Sequence, residues 1–202
     1  MSSATEIPSA EALERVSELE VDNTKGEKVK FGSLYAEQKV IVVFIRHFFC
    51  GACQAYVEKL ATVATSDLEA TNTKLVVVGC GEWSAIQTYK ETTTFQGELY
   101  ADPSRDVYHA LGMDIENMKG TPSNEQRKSY LTLGALSSAL MSIWRGPVKN
   151  PTLLGKQGNL SQLGGEFVLG PGPTCTFAYR MQHTEDHTEV ADLLKAAGVT
   201  PT

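Results

Sequence analysis

The chain has 202 residues, 42% hydrophobic and 21% charged, which suits one globular domain with a sizeable core and excludes a disordered chain. Its net charge of −6 leaves no basic footprint for nucleic acid or an anionic membrane surface. The longest apolar run, Val40–Ile45, is six residues, far short of the ~20 of a membrane span. The N-terminal stretch has neither the basic nor the apolar region of a signal peptide, and neither end carries a lipidation motif, so a cytoplasmic location is expected.

Residues 9–20 read as an amphipathic helix or a loose arm, with carboxylates near its start. Lys28–Leu34 alternates like a short strand broken at Gly32. Lys39–Arg46, KVIVVFIR, is a continuous β-branched and aromatic run, as in a central strand covered on both faces. Cys50–Glu69 follows at helical period, with Cys53, Val57, Leu60, Ala61, Ala64 and Leu68 on one stripe. Lys74–Cys80 is a second buried strand, Glu82–Lys90 a helix, Gly97–Ala101 a third strand and Ser104–Leu111 a helix opened by Asp-Pro. Ser129–Trp144 has a helical period, Gly146–Pro151 breaks it, and Asn150–Leu163 reads as loop. Glu166–Leu169 and Thr174–Arg180 are apolar strands joined by Gly170-Pro171-Gly172-Pro173 into an antiparallel hairpin. A last helix spans Glu185–Ala197, with Gly198 as its stop.

Alternating strands and helices with a terminal hairpin predict an α/β protein: a thioredoxin-like mixed central sheet, helices on both faces, and an inserted helical segment. The expected organisation is an N-terminal arm or helix at 1–20, then a single domain over 21–202 with an insertion at about 114–163.

Four cysteines, Cys50, Cys53, Cys80 and Cys175, are too few for a disulfide scaffold, and structural disulfides are rare in the cytosol. Two of them form Cys-Gly-Ala-Cys just past a buried strand and at a helix start. That is where open α/β sheets place reactive groups. A helix N-terminus stabilises a thiolate, and the i,i+3 spacing puts both sulfurs on one side of the first turn, near enough to close a disulfide. Arg46 and His47, just upstream, could add positive charge or hydrogen-bond a substrate oxygen. Zinc is disfavoured because no second pair of ligands has matching spacing; His183 and His187 have x₃ spacing but no pair beside them. Two inert buried thiols are the other alternative. No metal and no cofactor are expected.

Other residues have plain readings beside functional ones. Cys80 could face the site as an auxiliary thiol or be buried at its strand end, and Cys175 reads as core. Arg46 could pair with a carboxylate instead of serving the thiolate. Arg145 could reach over the site as an anion or peroxide contact, or complement a helix dipole. Trp83 and Trp144 read as packing residues. Asp186-His187 could be a pH-sensitive pair, but Asp186 reads more simply as a cap in the first turn of the last helix.

The segments VVFIRHFFCGACQAYVEKL (42–60), LVVVGCG (75–81), LYADPSRDVYHALGM (99–113), SIWRGP (142–147) and GGEFVLGPG (164–172), with a late Asp186-His187, resemble the peroxiredoxin-like 2 family of AhpC/TSA antioxidant-domain proteins. The resemblance runs from about residue 20 to 199. It implies a thioredoxin fold, a redox activity, thioredoxin or a similar external thiol as reductant, and a peroxide or disulfide as substrate. One branch of that family reduces prostaglandin-type endoperoxides. The peroxiredoxin pattern Pro-x₃-Thr-x₂-Cys, slid onto this chain, meets Arg46, Cys50 and Cys53, so a thiol stands where the Thr would be. This departure implies modest hydrogen peroxide reduction and better use of bulkier substrates. In the peroxiredoxin register Cys53 attacks; in the thioredoxin register Cys50 attacks and Cys53 resolves. Two function classes follow: a thiol-dependent oxidoreductase using Cys50 and Cys53, or a non-catalytic redox sensor or interaction module. Gly164-Gly165 stands where thioredoxins carry their cis-proline loop, so no cis-proline is expected to face the thiols.

Overall fold

The computed structural model describes residues 3–131 and 148–200. Its centre is β3 (Lys39–Phe44), whose six residues pair in parallel with β4 (Thr73–Gly79) and antiparallel with β6 (Gly165–Leu169). Beyond β4 lies parallel β5 (Glu98–Ala101), then β1 (Glu20–Asp22) and β2 (Lys28–Lys30); beyond β6 lies antiparallel β7 (Cys175–Arg180). The result is one mixed seven-stranded sheet ordered β2-β1-β5-β4-β3-β6-β7.

Both faces of the central strands are covered, which is why they read as unbroken apolar runs instead of alternating ones. Ile41, Val43 and Val77 point to a layer containing α2 (Gly51–Leu60), α4 (Ile86–Thr93) and α6 (Val190–Ala196). Val40, Val42, Phe44, Val76 and Val78 point to the opposite layer, with α1 (Ala10–Ser17) and α5 (Asp106–Ala110). The N-terminal segment is docked: Ser9 caps α1 through the Ala12 N–H, and Leu13 and Val16 are buried. Arg180 further pins that segment by donating from Nη1 to the carbonyls of Ser3 and Glu6.

Several expectations need correction. The strand expected over Lys28–Leu34 ends at Lys30, and Phe31–Tyr35 is a 3₁₀ turn. Gly32 packs so closely on α1 that a Cβ there would lie 2.6 Å from Ser17 Cβ. The helix expected over Cys50–Glu69 is two helices, α2 and α3 (Thr65–Ala70). Thr62 Oγ donates to the Lys59 carbonyl, Ala64 is extended, and β-branched Val63 and Thr65 disfavour continuation. The last helix begins at Val190, not Glu185, so Asp186 and His187 precede it and Glu189 is its N-cap. Asp186 instead accepts the Tyr179 hydroxyl and the Gln182 N–H. Trp83 is half exposed and lies over Gly26, where no Cβ would fit. The helix expected over Ser129–Trp144 lies largely outside the described residues, as do Trp144 and Arg145.

After α5, Glu116 and Gln162 form an isolated antiparallel bridge outside the sheet, reinforced by an Arg105–Glu116 ion pair. A cis peptide links Gly170 and Pro171 at the hairpin end of β6, away from the thiols. At the other end, Gly164 passes so close to β3 that a Cβ would lie 1.8 Å from the Phe44 carbonyl oxygen. Gly164→Ala is expected to destabilise by roughly 1–3 kcal/mol or more in urea unfolding, by overpacking backbone against backbone. Gly120→Ala, where nothing lies within 4 Å, is expected to be near neutral in the same measurement.

Candidate active site

The site forms where β3 runs out of sheet. Past Phe44, the Ile45 N–H still bonds the Val78 carbonyl, and then the chain turns. The Tyr108 hydroxyl fills the gap behind, 2.7 Å from the Ile45 carbonyl and 2.9 Å from that of Val78. The Phe48 N–H is held by the Gln157 carbonyl and the Cys50 N–H by the His47 carbonyl, which delivers Cys50 as the N-cap of α2.

Cys50 Sγ accepts the Cys53 N–H at 3.4 Å, as a serine or aspartate cap would. It also accepts from Arg46 Nη1 at 3.4 Å. The other guanidinium nitrogen donates to the Leu160 carbonyl and to Met118 Sδ, so Arg46 is fixed over the thiol. Of the two readings of Arg46, the guanidinium is therefore on the sulfur, not on a surface carboxylate. Cys53 Sγ lies one turn inside, accepting the Arg46 backbone N–H at 3.4 Å.

The two thiols sit in different environments. A hydrogen bond from the Cys53 thiol holds the Cys50 thiol well below the usual range, against the opposing effect of burial and helped by the Arg46 charge and the Cys53 N–H. Burial pushes the Cys53 thiol well up, and its hydrogen bond to Cys50 adds to this. Cys50 is 4% exposed and Cys53 is fully buried. Alkylation at mildly acidic pH, read by peptide mass spectrometry, is expected to label Cys50 ahead of Cys53. Arg46→Met is expected to slow that labelling at acidic pH by raising the Cys50 pKa.

Of the two readings of His47, added positive charge and a hydrogen bond to a substrate oxygen, its burial disfavours the first. Burial drives its pKa down from 6.5 to about 4, and the Arg46 charge adds to this, so the ring is neutral at pH 7. Its Nδ1 has no hydrogen-bond partner among the described residues. Cys80 lies near the site but is spent: its thiol donates to the Arg46 carbonyl at 2.8 Å, and burial pushes its pKa up to about 12. Cys175, half-buried in β7, donates to the Phe177 carbonyl and sits away from the other thiols' helix.

One group that belongs to the site was missed at the level of sequence. His187 Nε2 lies 3.4 Å from Cys53 Sγ, while its Nδ1 is in hydrogen-bond contact with Glu166 Oε1; both residues are fully buried. The ring stacks on Tyr56 with centroids 4.3 Å apart and planes 2° from parallel. The available signal was Glu166 itself, a lone carboxylate inside the apolar strand EFVL, which burial obliges to find a partner. His183 goes elsewhere, to Glu125 and Asp186, with the Lys128 ammonium 3.6 Å from Asp186. The two histidines thus serve separate clusters.

A cavity of about 510 Å³ lined by Leu60, Val63, Leu68, Leu75 and Phe95 opens at the start of β4, the opposite end from the thiols, and contributes nothing to them.

A mixed sheet with a Cys-x-x-Cys at the helix start past its central strand defines a thioredoxin-like protein with a thiol site. The AhpC/TSA antioxidant enzyme family profile matches residues 59–183. A human protein named peroxiredoxin-like 2C is 37% identical over 185 residues, spanning 91% of this chain and 79% of its own. The chain belongs to the AhpC/TSA antioxidant family and, within it, to the peroxiredoxin-like 2 proteins. A more distant similarity, 26% identity over 89% of this chain and 84% of the other, is to a zebrafish (Danio rerio) protein named prostamide/prostaglandin F synthase. Among solved structures, a cysteine-to-serine mutant of peroxiredoxin 6 from Arenicola marina superposes with a TM-score of 0.60 at 13% identity, covering 90% of this chain and 69% of that one. Peroxiredoxin Q from Xanthomonas campestris gives 0.57 at 14%, covering 96% and 92%.

The buried neutral His47 has a consequence for stability. Between pH 6.5 and about 4 the unfolded chain takes up a proton that the folded chain refuses. Its contribution to stability is therefore complete above pH 6.5 and lost as pH falls towards 4, amounting to roughly 3 kcal/mol. Urea unfolding across this range is expected to show a steeper acid loss in the wild type than in His47→Asn.

Proposed function

We propose that this protein is a thiol-dependent reductase that cycles through a Cys50–Cys53 disulfide. Its oxidants would be organic peroxides, endoperoxides or disulfides, and its reductant an external dithiol of the thioredoxin type. The observation that carries this reading is the setting of Cys50 Sγ, which accepts both the Cys53 N–H and the Arg46 guanidinium. That setting favours a thiolate at neutral pH, the form that attacks oxygen or sulfur.

With a hydroperoxide, the Cys50 thiolate attacks one oxygen, the O–O bond breaks, and the sulfur becomes a sulfenic acid while the other oxygen leaves as alkoxide. Arg46 is the donor closest to that sulfur and can stabilise the developing negative charge. Cys53 then attacks the Cys50 sulfur, forming the disulfide and releasing water. The external dithiol reduces that disulfide and restores both thiols.

The rim supports an organic substrate class. Arg46 beside the thiol is met by Met118 Sδ and by the Leu160 carbonyl, and both residues expose apolar side chains, Met118 at 65% and Leu160 at 48%, as an apolar lip. Such a lip suits an organic oxidant better than hydrogen peroxide. Relatives named prostamide/prostaglandin F synthase support including a prostaglandin-type endoperoxide among the substrates tried.

The test is NADPH consumption in a coupled thioredoxin system, with hydrogen peroxide, an organic hydroperoxide and an endoperoxide side by side. Multiple turnover is expected, with the organic oxidants ahead of hydrogen peroxide. Cys50→Ser is expected to abolish turnover, and Cys53→Ser to accumulate a sulfenic acid or mixed disulfide on Cys50. Full turnover by Cys50→Ser would overturn the assignment. Slow stoichiometric oxidation without recycling would mark a redox sensor instead of an enzyme.

A further inference from the structure

Cys53 is fully buried, and a resolving thiol must lose its proton before it can attack. We infer that His187 is the proton acceptor for Cys53, held in its working tautomer by the buried carboxylate of Glu166. This rests on the proposed Cys50–Cys53 cycle and adds a catalytic residue and a positioning residue to it.

The geometry leads there from both ends. Burial holds Cys53 in the thiol form, and its sulfur lies 3.4 Å from His187 Nε2. His187 Nδ1 is in hydrogen-bond contact with Glu166 Oε1; with that carboxylate as acceptor we assign the ring's proton to Nδ1, which leaves the Nε2 lone pair facing the sulfur. Glu166 also accepts the Thr188 N–H, and the His187 N–H is held by the Tyr130 hydroxyl oxygen at 3.1 Å. Tyr56 stacks flat on the ring, and Tyr130 meets it edge-on. The ring is thus held in place by three neighbours, Glu166, Tyr56 and Tyr130.

The step balances. The Cys53 S–H proton moves to His187 Nε2, and the thiolate attacks the Cys50 sulfur of the sulfenic acid. The S–S bond forms, the S–O bond breaks, and the departing hydroxide takes a proton to leave as water, returning His187 to neutral. In reduction by the external dithiol the path reverses: Cys53 leaves as thiolate and His187 protonates it, the incoming thiol having supplied that proton. The charged and titratable groups facing the pair are Glu166 from β6, Tyr56 from α2, Tyr130 from the stretch before α6, and Arg46 and Cys50 beside Cys53.

Single-turnover oxidation of the reduced protein by one equivalent of an organic hydroperoxide separates the two steps. Dimedone adducts read the sulfenic acid on Cys50, and non-reducing peptide mass spectrometry reads the disulfide. His187→Gln keeps a polar atom near the Nε2 position but cannot accept the proton. It is expected to oxidise Cys50 at the wild-type rate and to form the disulfide at least ~100-fold more slowly. Its residual disulfide rate should climb with pH more steeply than the wild type's, as hydroxide replaces the lost base. Glu166→Gln should slow the same step less. Wild-type disulfide formation should carry a solvent deuterium isotope effect, a readout that needs no variant to fold. An unchanged resolving rate in folded His187→Gln would overturn the inference, as would a wild-type step without an isotope effect. Loss of Cys50 oxidation in His187→Gln would also overturn it, by making the histidine a partner of the attacking step. Failure of the wild type to form the Cys50–Cys53 disulfide at all would defeat the cycle itself, an outcome distinct from these.

Discussion

Burial of the thiol pair is the constraint on which the rest of the site depends. Away from water, a sulfur, a guanidinium or a carboxylate must find its partners inside the protein or carry a desolvation cost of several kcal/mol. The neighbouring chain is arranged to supply them. Arg46 is anchored by the Leu160 carbonyl and Met118 and so can face Cys50; Cys80 is held by the Arg46 carbonyl; Glu166 is matched by His187. His47, with no partner for Nδ1 among the described residues, takes the remaining course and stays neutral.

The same constraint separates the two cysteines. They are three residues apart and share one turn of helix, yet one is favoured as a thiolate and the other as a thiol. The difference comes from burial, which leads for Cys53, and from the donors each sulfur meets. Cys50, at the cap, receives the Cys53 N–H and a full positive charge; Cys53, inside the turn, receives one backbone N–H and faces His187 Nε2. Pushing apart the pKa values of paired groups is how a site divides roles between them. Here the division is what the proposed roles of Cys50 and Cys53 rest on.

What could be read from the sequence was whatever depends on contiguous residues. KVIVVFIR and KLVVVGC are buried on both faces and therefore apolar without a break, so their place at the centre of the sheet was legible, as was the Cys-Gly-Ala-Cys cap beyond the first of them. Short edge strands were not. Three-residue β1 has no period to detect, and the break after α2 depends on Thr62 bonding the backbone one turn back. His187 was hidden for a different reason: it is 134 positions from Cys53, and the residue before it looked like an ordinary helix cap. Only the sheet, by laying Glu166 of β6 beside Val43 of β3, brings that ring over the start of α2.

The family profile spans residues 59–183 and so begins after both cysteines. The thiol site has to be argued on its own geometry, and the physical link between the two is β3. It is paired on both sides, parallel to β4 and antiparallel to β6. A site built at its end sits on hydrogen-bonded backbone, which helps keep a guanidinium, two sulfurs and an imidazole in register. Gly164 shows how tight that support is: only a residue without a side chain allows the chain entering β6 to pass the Phe44 carbonyl and place Glu166 two residues later. The close approach at Gly164 is therefore as much a part of the thiol site as the cysteines, since moving β6 outward would withdraw the carboxylate on which the orientation of His187 depends.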